Sequence, residues 1–211
     1  MTDTIEQRPG RRPVGRGRKL RAAVLAATLE ELTETGYVGL TIENVARRAG
    51  VHKTSIYRRW GDRERLVVDA ISDHVTATMP VPDTGAIETD LQALARGLVS
   101  WLMSPPGEAV LATMVSDAGR LAEIAQARRD FYAHRFRQAA PVVTRAIARG
   151  ELPEGTDPAE VLKTLASPIY MRLLVTSEPI DLEVADLAAE IALAAARAGV
   201  LRRPASNDPE G

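Results

Sequence analysis

Lys53, Thr54, Tyr57 and Arg58 stand at i, i+1, i+4 and i+5, a spacing that on a helix places all four on one face. That face would carry two cationic heads, a hydroxyl beside a methyl group, and a phenol. Such groups donate to phosphate oxygens and meet base edges in a major groove. The N-terminal end of a groove-bound helix reaches deepest, so Lys53 and Thr54 are expected at base edges and Tyr57 and Arg58 at phosphates. Thr41 and Arg63 fall at expected helix N-termini, where phosphate oxygens are favoured.

Presenting that face requires two short helices held at a steep angle. The stretch TIENVARRAGVHKTSIYRRW, residues 41–60, has the parts. Thr41 is a good N-cap for a helix over 42–49. Ala46 is small where two helices must cross closely, and Gly50 sits where a tight turn needs positive φ. Val51 and Ile56 are apolar where the second helix, about 52–60, must anchor on the first. This is the pattern of a helix-turn-helix with the second helix protruding. Arg47 and Arg48 are weaker candidates, at least one being expected to face solvent or pair with an acid.

Composition narrows the alternatives. There is no cysteine, which removes disulfides, thiolate nucleophiles and Cys-based metal sites. No nucleophile–base set, metal cluster or phosphate-cradling loop is evident, so neither an enzyme nor a bound metal or cofactor is expected. No apolar run approaches the ~20 residues that span a bilayer, and the polar N-terminus is no secretory leader; a cytoplasmic protein with no membrane partner is expected. Residues 1–65 carry 14 Lys and Arg against 8 Asp and Glu, whereas the remainder carries 13 against 20. A basic end on an acidic body points to a polyanion as the partner of one end only, a solvated charge bias being the competing reading; taken with the residue 53–58 face, double-stranded DNA is the expected partner.

The rest of the chain reads as helices. One is expected over 18–35, closed by Gly36, and another over 63–79. Beyond Pro80-Val81-Pro82 the apolar spacing predicts helices from Ile87 to the stop at Pro105-Pro106, around Val110–Val115, and over 121–149 with Pro141 inside. Asp157-Pro158-Ala159-Glu160 is a strong helix start, reaching about Thr176 through Pro168, and Asp181 caps a last helix ending at Gly199. No segment alternates as a strand does. The expectation is an all-α chain of about nine helices. It divides into a disordered basic arm (1–17), a three-helix helix-turn-helix domain (18–66), a helical domain (67–202) and a disordered tail (203–211).

At GYVGLTIENVARRAGVHKTSIYRRWGDRERLV, residues 36–67, the chain resembles the DNA-binding domain of the TetR family of bacterial regulators. The Gly-Tyr, Thr, Ala-Gly-Val and Ile-Tyr positions carry the likeness; Ser55 stands where Gly is frequent and Trp60 where Phe is usual. The resemblance implies a homodimer that binds a palindromic operator, represses transcription, and answers a small-molecule effector held in its C-terminal domain. It implies pairing through the last two helices. The stripe Leu187, Ala188, Ile191, Ala192 and Ala195, with Leu165 and Ile169 one helix earlier, suits such pairing, and ordinary intrachain core is the competing use.

Trp101, Met103, Met114, Phe131, Tyr132, His134 and Phe136 are the large or polar-tipped groups available to line an effector pocket, though such residues at helical spacing also serve as plain core. Arg16 and Arg18, within RPGRRPVGRGR, are expected to lie in an A·T-rich minor groove or to add only salt-dependent affinity. A ligand-independent architectural DNA-binding protein and a helical interaction protein are the alternative classes. The first would lack a sizeable cavity; the second leaves the residue 53–58 face unexplained.

Overall fold

The computed structural model describes residues 14–115 and 122–202. Within them lie nine α-helices: α1 (Val14–Gly39), α2 (Ile42–Arg48), α3 (Lys53–Trp60), α4 (Arg63–Thr78), α5 (Ile87–Leu102), α6 (Pro105–Val115), α7 (Ala122–Ala148), α8 (Pro158–Met171) and α9 (Leu182–Arg197). The protein is all-α, with no strand among the described residues.

Local chemistry sets most of these boundaries. The side chains of Thr41, Asp62, Asp157 and Asp181 accept from the backbone N–H groups of Asn44, Arg65, Ala159 and Val184, each satisfying a donor that the helix start leaves orphaned. Gly36 takes φ 68° and breaks α1 before its last residues. Gly50, at φ 65°, makes the turn between α2 and α3, a conformation strained for a residue with a Cβ.

Two boundaries differ from the sequence expectation. The first helix begins at Val14, so Val14–Gly17 extend it instead of belonging to an arm; adding residues to an existing helix costs far less than starting one. The remainder of the expected arm, residues 1–13, and the tail 203–211 lie outside the described residues. The helix from Pro158 does not run unchanged to Thr176. It ends at Met171 and widens into a π-turn over Arg172–Thr176, closely following Pro168, which has no N–H to give the ladder. Ser177, in the left-handed region at φ 54°, closes the turn.

The core is one continuous apolar body. α1 packs on α2, α4 and α6; α9 packs on α5 and α8; α7 lies against α4 and α8. Leu32, Leu40, Ile56, Leu66, Leu91, Val142 and Ile169 have essentially no exposed surface. α4 runs unbroken through the expected boundary at 66/67, packing on α3 and, along its flank, on α7.

Candidate functional site

The α2–α3 unit is anchored from beneath. Val51 N–H donates to the Ala46 carbonyl at 3.0 Å, Ile56 is fully buried and Val51 packs against the core. Glu31, buried on α1, accepts from the Asn44 amide at 2.7 Å and from Arg48 at 3.1 Å. Arg48 also reaches Glu30 and Glu34, and this carboxylate cluster, Glu34 foremost, raises its pKa. Arg48 is thereby a strut between α1 and α2, while Arg47 is exposed and donates to Asn44.

A second set of contacts fixes α3 against α4. The Trp60 indole donates to Asp69 at 2.9 Å, and Arg21 spans Asp69 at 2.8 Å and Asp73 at 2.6 Å. Tyr37 is buried and donates to Glu64 at 2.8 Å. Burial and that bond push its phenol up to about 12. Burial would raise the Glu64 pKa, yet the Tyr37 hydrogen bond, its own backbone N–H and Arg63 hold it below the usual carboxylate range.

On this base Lys53, Thr54, Tyr57 and Arg58 all stand exposed on α3. Tyr57 leaves 46% of its surface in solvent, a large expense for an aromatic ring that has no packing role. Arg58 has no ion-pair partner among the described residues. Lys53 is held by Glu43 at 3.1 Å, and the Thr54 hydroxyl lies 3.2 Å from His52 Nδ1. Thr41 is occupied as the α2 N-cap. Arg63 is partly buried: its guanidinium lies 4.4 Å above the Tyr37 ring and bonds Glu64 and the Leu40 carbonyl. Arg16 lies in α1 with its side chain outside the description, and Arg18 is exposed on the same helix. Arg16, expected in the arm, thus joins Arg18 in the first helix. Reasoning from sequence missed Glu43, which pairs Lys53 from the neighbouring helix, and Arg59, exposed and 5.5 Å over the Trp60 ring.

The expected effector residues divide into groups. Tyr132 and Phe136 line a cavity of about 70 Å³ among α5, α7, α8 and the end of α4, together with Leu98, Arg135, Leu162 and Tyr170. The Tyr132 and Tyr170 hydroxyls share a 2.8 Å hydrogen bond, and burial raises both phenols. Phe131 faces another cavity of about 70 Å³, between α1, α4, α6 and α7. His134 is exposed in an outer groove between α4 and α7. Trp101 is sealed in the core and Met103 is 54% exposed at the C-cap of α5; neither joins the others, because the helix ends between the packed face and solvent. Met114 falls in α6 with its side chain outside the description. Tyr170 and Arg135 went unnoticed in the sequence because Tyr170 lies 38 residues from Tyr132. Among the described residues no group of three or more His, Asp or Glu could hold a metal, and no helix is long and apolar enough to cross a membrane.

The expected dimer stripe needs correction. Leu165, Ile169, Ala188 and Ala192 are buried within the protomer, because the small residues of α9 let α5 and α8 of the same chain approach closely. Leu187 and Ile191 face outward, 47% and 42% exposed, and Ala195 is half-buried. Exposed Ala194 and Ala198 extend the outward row at i+7 and i+11 from Leu187.

Comparison with known proteins agrees with this architecture. Residues 24–70 match the family described as bacterial regulatory proteins, tetR family, and residues 81–192 match the tetracyclin repressor-like C-terminal domain. The chain is 36% identical to the HTH-type transcriptional regulator AqdR of Rhodococcus erythropolis, over 86% of this chain and 87% of that one. It is 30% identical to the DNA-binding transcriptional repressor TetR of Mycobacteroides abscessus, over 80% and 88% of the two chains. The crystal structure of the TetR family transcription regulator SCO0332 superposes with a TM-score of 0.72 at 32% identity, covering 83% of this chain and 97% of that one. The chain belongs to the TetR family and is a DNA-binding transcriptional regulator, not an enzyme.

Proposed function

We propose that the protein is a repressor that binds a palindromic operator as a homodimer and releases it when a small molecule enters the helical domain. The observation that carries this reading is the exposed α3 face of Lys53, Thr54, Tyr57 and Arg58 on a rigid base. Lys53 and Thr54 read base edges; Tyr57 and Arg58, with Thr41 and Arg63 at helix starts, hold phosphates. Residues 18–66 form the reader and 67–202 the effector and dimerisation body, with α4 shared between them. The name of the M. abscessus relative supports repression. The outward row Leu187, Ile191, Ala194 and Ala198 on α9 supplies a self-complementary apolar strip for a twofold partner.

In vitro selection from randomised duplex DNA, followed by anisotropy at two salt concentrations, tests the proposal. A palindrome with half-sites about 34–36 Å apart is the expected winner; Thr54→Ala should relax the base preference, whereas Tyr57→Ala should weaken binding to every sequence. Sequence-blind, steeply salt-dependent binding would overturn it in favour of an architectural role.

A further inference from the structure

Arg135, on α7, is partly buried and lines the 70 Å³ cavity beside Tyr132, Phe136, Leu162 and Tyr170. Other arginines that bridge elements have carboxylates: Arg21 meets Asp69 and Asp73, Arg96 meets Asp186, and Arg145 meets Asp83. Arg135 has none within ion-pair distance among the described residues. Among the described residues its hydrogen bond runs from Nη2 to the Met79 carbonyl at 3.1 Å. Burial lowers its pKa. A guanidinium taken from water without a counter-charge is costly, and an anion brought to it recovers that cost.

We propose, building on the effector reading above, that the effector is an organic carboxylate whose anionic head pairs with Arg135 and whose apolar body lies along Tyr132, Phe136 and Tyr170. The cavity alone is too small, since drug-sized ligands occupy roughly 300–1,000 Å³. The space lies next door. Tyr132, Phe136, Ala166 and Tyr170 also line an open groove of about 760 Å³ between α7 and α8. The hydroxyl-linked Tyr132 and Tyr170 rings line both spaces. Arg128 on the groove side adds a second positive charge to the approach, whereas Lys163 is paired with Glu160 at 2.7 Å.

The same contact connects the site to the reader. Met79 is the C-cap of α4, and a cation there complements the negative end of the helix. A carboxylate competes with the Met79 carbonyl for the Arg135 guanidinium. Its arrival loosens the end of α4, leaving the longer Gln138–Thr76 contact, 3.5 Å, as a remaining tie between α7 and α4. Farther along α4, Asp69 accepts from the Trp60 indole at the end of α3. Binding of the anion and of DNA are thereby coupled, each weakening the other.

The test pairs carboxylates with their neutral amides: 2-naphthoate against 2-naphthamide, and decanoate against decanamide. Thermal unfolding is followed for the full chain, Arg135→Gln and Arg135→Lys, with anisotropy on a selected operator. The carboxylate of a pair should raise Tm more than its amide in the unaltered protein and in Arg135→Lys. Arg135→Gln should erase the difference. The carboxylate should also lower operator affinity at least about fivefold in the unaltered protein and not in Arg135→Gln. Amides that match or exceed their carboxylates overturn the anion assignment while leaving an effector site intact. A carboxylate preference that persists in Arg135→Gln overturns the role of Arg135. No Tm shift from either carboxylate overturns the anion assignment at this site, while operator release by an uncharged compound would keep the effector reading.

Discussion

The Trp60 indole N–H donates to Asp69 Oδ2 at 2.9 Å, tying the last residue of the exposed helix α3 to the middle of α4. Asp69 also accepts from Arg21 of α1 at 2.8 Å, so one carboxylate joins three helices. The reading face on α3 is aimed by a residue that lies outside the helix-turn-helix.

Asp69→Ala should leave the indole N–H and the Arg21 guanidinium without their shared acceptor. A cost of about 1–3 kcal/mol is expected from these lost bonds, read by urea unfolding. Operator affinity should fall beyond what the stability loss explains at temperatures where the variant is folded. A fully stable variant with unchanged affinity would show that α3 is aimed by apolar packing alone.

Tyr57→Ala removes an exposed ring, so stability should change by no more than about 0.5 kcal/mol while operator binding is lost. Arg58→Ala should weaken operator and unrelated DNA alike and reduce the salt slope by about one. If Arg58→Ala changes base preference and leaves the salt slope untouched, the phosphate assignment is wrong.

Glu43→Gln should free the Lys53 ammonium, which Glu43 now holds at 3.1 Å. Removing that competitor and a negative charge from the DNA-facing side should raise affinity for unrelated DNA more than for the operator, lowering the specificity ratio. Competition anisotropy with random-sequence duplex reads the ratio, and an unchanged ratio would leave Glu43 without influence on recognition.

Leu187→Glu and Ile191→Glu place charges on the outward row of α9 and should yield folded monomers by light scattering. Ala192→Glu, at a position with no exposed surface, should fail to fold because it buries an unpaired charge. Dimers that survive both outward substitutions would place the interface elsewhere.

Stability should depend on the Tyr37–Glu64 pair at both ends of the pH scale. The Tyr37 phenol is raised from 10.0 to about 12, so its contribution is full below pH 10 and is lost as pH climbs toward 12, by up to about 2–3 kcal/mol. Glu64 is lowered from 4.5; its contribution is present above that value and is lost on acidification through the folded pKa. Tyr37→Phe should flatten the alkaline limb of the unfolding free energy. An alkaline limb identical in both proteins would assign the loss to other groups.

Local chemistry made much of this protein legible from its sequence. Capping side chains at Thr41, Asp157 and Asp181, a positive-φ glycine at residue 50, and apolar spacing at 3.6 residues are near-neighbour effects, and they specified the helices and the α3 face. Composition and the charge split pointed to a polyanion partner. Choices between one neighbour and another required the tertiary structure. The periodicity of α9 marks an apolar helix but not which side meets its own chain, so Ala188 and Ala192 went inward against α5 and α8 while Leu187 and Ile191 stayed outside. The cavity brings together Met79, Arg135 and Tyr170, residues separated by many turns of chain, and the solitary state of Arg135 depends on which carboxylates folding places out of its reach. Burial and the absence of a counter-charge are properties of the packed assembly, and no local spacing encodes them.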